Sequence, residues 1–425
     1  MQRTKSAAGA FASVTTLFFA WGFITSIVDP LVAAVKGIFS LTNVEAQLST
    51  FAFFIAYGIV SIPAAILVSR LRAVPSIIVA IALMIVACLI MLAGADAAAY
   101  VGVLIGLFVM ASGITILQVA ANPLAAALGS PERSHFRLTF SQAFNSFGTV
   151  LGPLLGASLL LKGVEVKPGE TLTAGARTAA LGSINTSFLI IAVLLAILAA
   201  FIWWSRRRIN DAAPPLEPAH GFAQTLSEVT ASHWALLGGL AIFLYVGAEV
   251  SIGTQMALFL NSRSIWDIPL QQAGFYVSLY WLGAMIGRFV GSALLTRFKA
   301  YRLLAINTAI AALLCLFVVL TRGAPAGYAA LAIGLFNSIM FPVIFTLTLE
   351  RSTASTEATS GFLVMSIIGG AILPLIVGKV ADASGDYATA LAVPMICYVA
   401  LFLFALGAGR ARTHAAGIDT GPTLH

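Results

Sequence analysis

Apolar runs, each about as long as a bilayer is thick, follow one another from residue 11 to residue 409. A helix that spans a membrane needs roughly 20 such residues. Twelve runs can be placed, at 11–36, 47–70, 74–95, 98–127, 134–162, 179–204, 233–260, 271–297, 301–321, 326–350, 354–381 and 387–409. They are continuous, with Gly and Pro inside them, and do not alternate with period two, so they predict helices and exclude a β-barrel. One long segment interrupts the series, "SRRRINDAAPPLEPAHGFAQTLSEVTASHW" at 205–234, which is basic, polar and rich in proline. It reads as a linker between two six-helix halves. The expected architecture is an all-α integral membrane protein: a bundle at 1–204, a linker at 205–232, and a second bundle at 233–425 that ends in a short tail.

The halves resemble each other. "GTVLGPLLG" (148–156) matches "GGAILPLIVG" (369–378), with Gly148 to Gly369 and Pro153 to Pro374 both offset by 221. Gly113 and Gly334 share that offset, and "FFAWG" (18–22) lies 225 residues before "FLYVG" (243–247). Near-constant offsets on corresponding helices are what a duplicated half produces. Two such halves predict a pseudo-two-fold axis along the membrane normal, a cavity between them, and alternating access by rocking.

Composition agrees: 60% of the 425 residues are hydrophobic, only 9% are charged, and mean hydropathy is +0.99. The net charge of +7 follows topology. With a cytoplasmic N-terminus, 15 Lys and Arg residues fall in cytoplasmic segments, among them Arg70, Arg133, Arg206, Arg207, Arg208 and Arg302, against 7 outside. That bias places both termini in the cytoplasm and needs no nucleic-acid partner. Arg3 and Lys5 precede a first run too long for a signal-peptide core and without a cleavage site, so a retained helix is expected. Cys88, Cys315 and Cys397 lie in separate runs without metal-ligand spacing and read as packing residues. The five histidines fall in loops, helix ends or tails, which argues against a mid-membrane histidine relay or zinc site. No phosphate-binding glycine loop or catalytic motif is present. Neither enzyme chemistry nor a cofactor is expected, and energy must come from an ion or solute gradient.

Polar residues inside the runs carry the chemistry. The fourth run holds Thr115, Gln118 and Asn122 on one face, and the fifth holds Gln142, Asn145 and Thr149 with the same spacing. Measured from their cytoplasmic ends, Gln118 and Gln142 stand at one level. Amides donate and accept from one side chain, which suits a neutral polyhydroxylated ligand, although amides also join helices inside bundles. The second half offers rings beside few amides: Tyr276, Tyr280 and Trp281, then Phe336, Asn337 and Phe341. Such rings match the apolar face of a sugar but also serve as packing. Three ionisable residues, Asp29, Glu249 and Arg288, lie well away from the ends of their runs. Asp29 has Pro30 directly behind it, which cannot donate to the Ser26 carbonyl and loosens the helix there. Glu249 sits near the middle of the seventh run. Arg288 lies on the eighth, where it reads either as a snorkelling arginine or as a partner for Glu249. A carboxylate in a membrane is costly and marks function, here a group that exchanges a proton or ligates sodium.

"FFAWGFITSIVDPL", "MASGITILQVAANPLAAALGSP", "RLTFSQAFNSFGTVLGPLLG", "YVGAEVSIG", "YWLGAMIGRF" and "GLFNSIMFP" together resemble the fucose permease and glucose–galactose permease family of the major facilitator superfamily, over nearly the whole chain. The resemblance implies twelve helices, inward- and outward-open states, and cation-coupled uptake of a monosaccharide across the bacterial inner membrane by a monomer. It implies that Asp29 is the family's helix-one carboxylate and that Gln142 and Asn145 are its sugar-binding amides. Gln118 departs from the fucose branch, which carries a glutamate there, whereas Glu249 resembles the glucose–galactose branch. That tilts the substrate toward glucose, galactose or a relative such as N-acetylglucosamine, with proton and sodium both open as coupling ion. The superfamily's loop signature between helices two and three is degraded to "AAILVSRLRAVPS", with Ser69 in place of the acidic residue, so gating must use other contacts. The alternative is a proton-driven antiporter, because "GTVLGPLLGA" also resembles the helix-five motif of drug exporters. The dense amides argue against its more apolar cavity.

Overall fold

The computed structural model describes residues 2–39, 43–160, 174–213 and 221–413, and among them every regular element is helical. The first half comprises α1 (Gln2–Ile38), α2 (Asn43–Leu71), α3 (Ala73–Asp96), α4 (Tyr100–Ala127), α5 (Ser134–Leu160) and α6 (Ala174–Ala212). A short helix, α7 (Phe222–Ala231), belongs to the linker. The second half begins with α8 (His233–Asn261), α9 (Leu270–Leu294) and α10 (Ala300–Leu320). Three two-part traverses follow: α11 (Ala324–Asn337) with α12 (Met340–Leu349), α13 (Thr356–Met365) with α14 (Gly369–Ser384), and α15 (Tyr387–Ala390) with α16 (Ala392–Arg410). Eleven of the described traverses are long and apolar enough to cross a membrane. The twelfth is α5, packed along α1.

Each half packs chiefly on itself, and the halves meet where α2 and α4 face α13 and where α5 faces α9 and α12. The end of the bundle that carries α7 and the α2–α3 and α4–α5 turns is the linker end. Lipid offers no hydrophobic drive to bring helices together, so close backbone approach through small residues must do it. The α1–α5 seam shows this: a Cβ on Gly148 would stand 2.7 Å from the Phe23 amide nitrogen. Gly148 therefore acts as a packing residue that brings α5 onto α1.

Three predicted runs are broken, the one at 387–409 only at Leu391, between α15 and α16. The run at 326–350 divides between Asn337 and Met340, and the run at 354–381 contains a 3-10 turn at Ser366–Ile368. At the first break, Pro342 has no N–H for the Ser338 carbonyl four residues back. The helix resumes only with Val343 donating to Ile339 O. The last helix of the first half, α6, continues to Ala212, past the predicted end of its run at 204.

Candidate functional site

The amide stripes of α4 and α5 meet in the structure. Gln142 Nε2 donates to Asn122 Oδ1 at 3.3 Å, and both side chains are buried. The register is one turn from the expected level, because Gln118 turns instead to α2, where its Nε2 donates to the Tyr57 hydroxyl at 3.1 Å. Asn145 reaches α1, donating from Nδ2 to the Phe18 carbonyl at 3.1 Å. Four helices, α1, α2, α4 and α5, are thus held around one polar layer. Asp29 and Pro30 lie further along α1 and Pro153 lies in α5, each within the helical span. Their side chains lie outside the described residues.

In the second half the structure brings Glu249 and Arg288 together, with Arg288 Nη2 3.7 Å from Glu249 Oε1 and both residues at least nine-tenths buried. Arg288 does not snorkel. Its Nε donates to the Ser338 carbonyl at 2.9 Å, the group that Pro342 leaves free, and its Nη1 donates to Ser146 Oγ on α5. One guanidinium therefore joins a carboxylate on α8, the break between α11 and α12, and the opposite half. Beside it, Asn337 Nδ2 donates to the Tyr280 hydroxyl at 2.6 Å, which donates to the Glu249 carbonyl at 3.2 Å. Tyr280 and Asn337 are fully buried, so in this state they brace α8, α9 and α11. The other candidate rings mostly pack: Trp281 stands edge-on to Tyr280 at 5.1 Å, and Tyr276 stands edge-on to Trp266 at 4.9 Å.

At the linker end the halves are locked by contacts that spacing did not reveal. His135 Nε2 lies 3.0 Å from Glu350 Oε1, and its Nδ1 lies 2.5 Å from Thr346 Oγ1. The Thr346 hydroxyl itself donates to the Pro342 carbonyl at 2.8 Å. Burial alone would raise the Glu350 carboxyl. The hydrogen bond and charge of His135, with Arg351 at 3.1 Å, outweigh it and hold the group below its ordinary 4.5. A second lock is Ser360 on α13, whose hydroxyl donates to the Val119 carbonyl of α4 at 2.9 Å. Pro123 leaves that carbonyl free, as Pro342 does for Ser338. Near it, a Cβ on Gly361 would stand 2.7 Å from Ala65 Cβ of α2.

Buried polar atoms normally find partners, so those that do not are informative. Among the described residues Asn122 Nδ2, Asn337 Oδ1 and Glu249 Oε1 have no hydrogen-bond partner. They supply one donor and two acceptors, from both halves. Such an arrangement has spare capacity for a neutral ligand rich in hydroxyls, and no group of His, Cys, Asp and Glu among the described residues could hold a metal ion. Sequence reasoning missed Tyr57, Ser146, His135 and Ser360, since partners across a helix interface leave no spacing. The readable signal was Pro123 and Pro342, each inside a predicted apolar run and each freeing a carbonyl.

Comparison with known proteins adds an independent line. Residues 11–374 match the model of the Major Facilitator Superfamily. The glucose/galactose transporter of Brucella abortus biovar 1 is 39% identical over 399 residues, covering 93% of each chain. The L-fucose-proton symporter of Escherichia coli K12 is 33% identical, covering 93% of this chain and 92% of its own. A crystal structure of FucP, a transporter of this superfamily, in the outward conformation superimposes with a TM-score of 0.86 at 30% identity, covering 95% of this chain and 99% of that one.

Proposed function

The chain belongs to the major facilitator superfamily, and from that membership we propose that it is a secondary active transporter that takes up a hexose, glucose, galactose or a close relative, with a proton. The observation that carries this reading is the pair of buried polar atoms without a hydrogen bond, Asn122 Nδ2 and Asn337 Oδ1, one from each half, beside Glu249 Oε1, which has Arg288 Nη2 at 3.7 Å but no hydrogen bond. A sugar hydroxyl both donates and accepts, and can complete such groups when the halves part to admit it. Gln118, Gln142 and Asn145 extend the donor set along the first half, and Tyr280 lies beside Asn337 on the second. The names of the two relatives support a sugar substrate, and "proton" in the name of the fucose symporter supports proton over sodium. The exporter alternative gains nothing from those names.

Asp29 is the proposed proton carrier, on its place in α1 beside a carbonyl that Pro30 cannot occupy. The Glu249–Arg288 pair is the proposed second charged element, and Ser146 connects it to the helix that carries Gln142 and Asn145. The positive-inside bias supports a cytoplasmic linker end in a bacterial inner membrane. With that orientation, the locks at His135–Glu350 and Ser360–Val119 would close the cytoplasmic side, an outward-facing state. Equilibrium binding in detergent to glucose, galactose and N-acetylglucosamine tests the substrate class. Saturable binding of at least one hexose is expected, and binding of none overturns the reading.

A further inference from the structure

Away from the polar layer, α1 and α6 leave a groove of about 420 Å³ between them. Thr16, Phe19 and Phe23 line it from α1, and Leu194, Ile197 and Phe201 from α6. Its volume falls in the usual range of small-ligand pockets, about 300–1,000 Å³. The lining is almost wholly apolar, and Leu194 and Ile197 are more than half exposed, so the groove opens on the bilayer.

The linker end of the groove is basic. Arg206, Arg207 and Arg208 follow Phe201 on α6 within about 10 Å at 1.5 Å per residue. Arg208 lies across the seam: a Cβ on Gly9 of α1 would stand 3.0 Å from its Cδ. Arg206 rests on Trp203, 4.3 Å from the ring centroid, and donates to the Trp203 carbonyl at 2.7 Å. Trp203 and Trp204 are exposed, as tryptophans at the edge of a bilayer are. None of the three arginines has an ion-pair partner among the described residues, although Asp211 follows one turn further out. An apolar slot that faces lipid, with arginines at its linker end that have no ion-pair partner among the described residues, matches a molecule with a hydrocarbon tail and an anionic head.

We infer that the α1–α6 groove seats an acyl chain of an anionic phospholipid whose phosphate is held by Arg206, Arg207 and Arg208. The tail lies along Phe19, Phe23, Leu194 and Ile197, and the arginines reach the head group at the membrane surface. Phe19 and Phe23 flank Gly22 on the helix that Asn145 binds, so the lipid borders the α1–α5 seam.

Native mass spectrometry of the purified full chain, incubated with equimolar phosphatidylglycerol and phosphatidylcholine, tests the site. The wild type is expected to retain phosphatidylglycerol selectively, by about fivefold per arginine engaged. The triple variant R206Q/R207Q/R208Q should retain both lipids equally, and R208Q alone should lose about fivefold in selectivity. Ile197→Trp fills the groove from its bilayer face, away from the polar layer, and should lower phosphatidylglycerol retention with every arginine in place. Equal retention of the two lipids by the wild type would overturn the inference. So would wild-type retention by Ile197→Trp, since the arginines would then attract head groups with no chain seated.

Discussion

Ser360 of α13 gives its hydroxyl hydrogen to the Val119 carbonyl of α4, at 2.9 Å and across the two halves. Pro123 has no N–H to give that carbonyl, and the Ser360 hydroxyl serves it instead. A net hydrogen bond is worth about 1 kcal/mol, or about fivefold in a two-state equilibrium. Ser360→Ala is therefore expected to shift the population about fivefold toward parting at the linker end. Spin labels at the exposed positions Arg70 and Thr353, one in each half, should report a larger long-distance fraction. Pro123→Ala returns an N–H to the Val119 carbonyl, which is then satisfied without Ser360, so Ser360→Ala should cost less in that background than in the wild type. Additive effects of the two substitutions would show that the bond is not the lock.

The Glu350 carboxyl, held below 4.5 by His135 and Arg351, gives the linker-end lock a pH dependence. A depressed carboxylate pKa means that the stabilisation is fully present above 4.5 and is lost as pH falls through the lowered value. The same label pair should stay short from neutral pH down to 4.5 and lengthen below it. Glu350→Gln should be long across the whole range. A distance in Glu350→Gln that matches the wild type at neutral pH would remove this pair from the lock.

Much of the fold was legible because the bilayer demands long apolar helices, and their spacing identified twelve runs. The breaks were not, since hydropathy is blind to a missing backbone hydrogen bond, and "NSIMFPVIF" reads as one apolar stretch although Pro342 frees the Ser338 carbonyl. At the site, helical spacing placed Gln142 and Asn122 on facing stripes, and they touch. Spacing could not supply Tyr57 for Gln118 or Ser146 for Arg288, because those pairs depend on how helices rotate and tilt against each other. It left Arg288 between two roles, and the arm's reach to Glu249 decided between them.

Glu249 and Arg288 form a buried pair, and removing one partner from such a pair costs about 3–5 kcal/mol, because the other charge is left behind. Glu249→Gln and Arg288→Gln should each lower the yield of folded protein, as read by fluorescence-detected size exclusion. The double variant E249Q/R288Q should recover it. If that folded double variant also transports with full ion coupling, the pair is structural and carries no coupling role.

Gln142→Ala and Asn145→Ala each delete an amide from the polar layer of α5. Each is expected to weaken hexose binding by about 1–3 kcal/mol, with folding largely retained, because membrane side-chain hydrogen bonds average only about 0.6 kcal/mol. Isothermal titration with the best-bound sugar measures this. Unchanged affinity in both variants would move the sugar site away from α5.

The most direct measurement is uphill hexose accumulation in vesicles of purified protein, driven by an imposed gradient of protons alone or of sodium alone, with Asp29→Asn beside the wild type. Asparagine keeps the shape and hydrogen bonding of Asp29 but cannot take up or release a proton. The expected result is accumulation by the wild type under the proton gradient only, with none by Asp29→Asn, which still binds hexose and exchanges it across the membrane. Accumulation driven by sodium with no proton gradient, or wild-type accumulation by Asp29→Asn, would contradict proton-coupled uptake through Asp29.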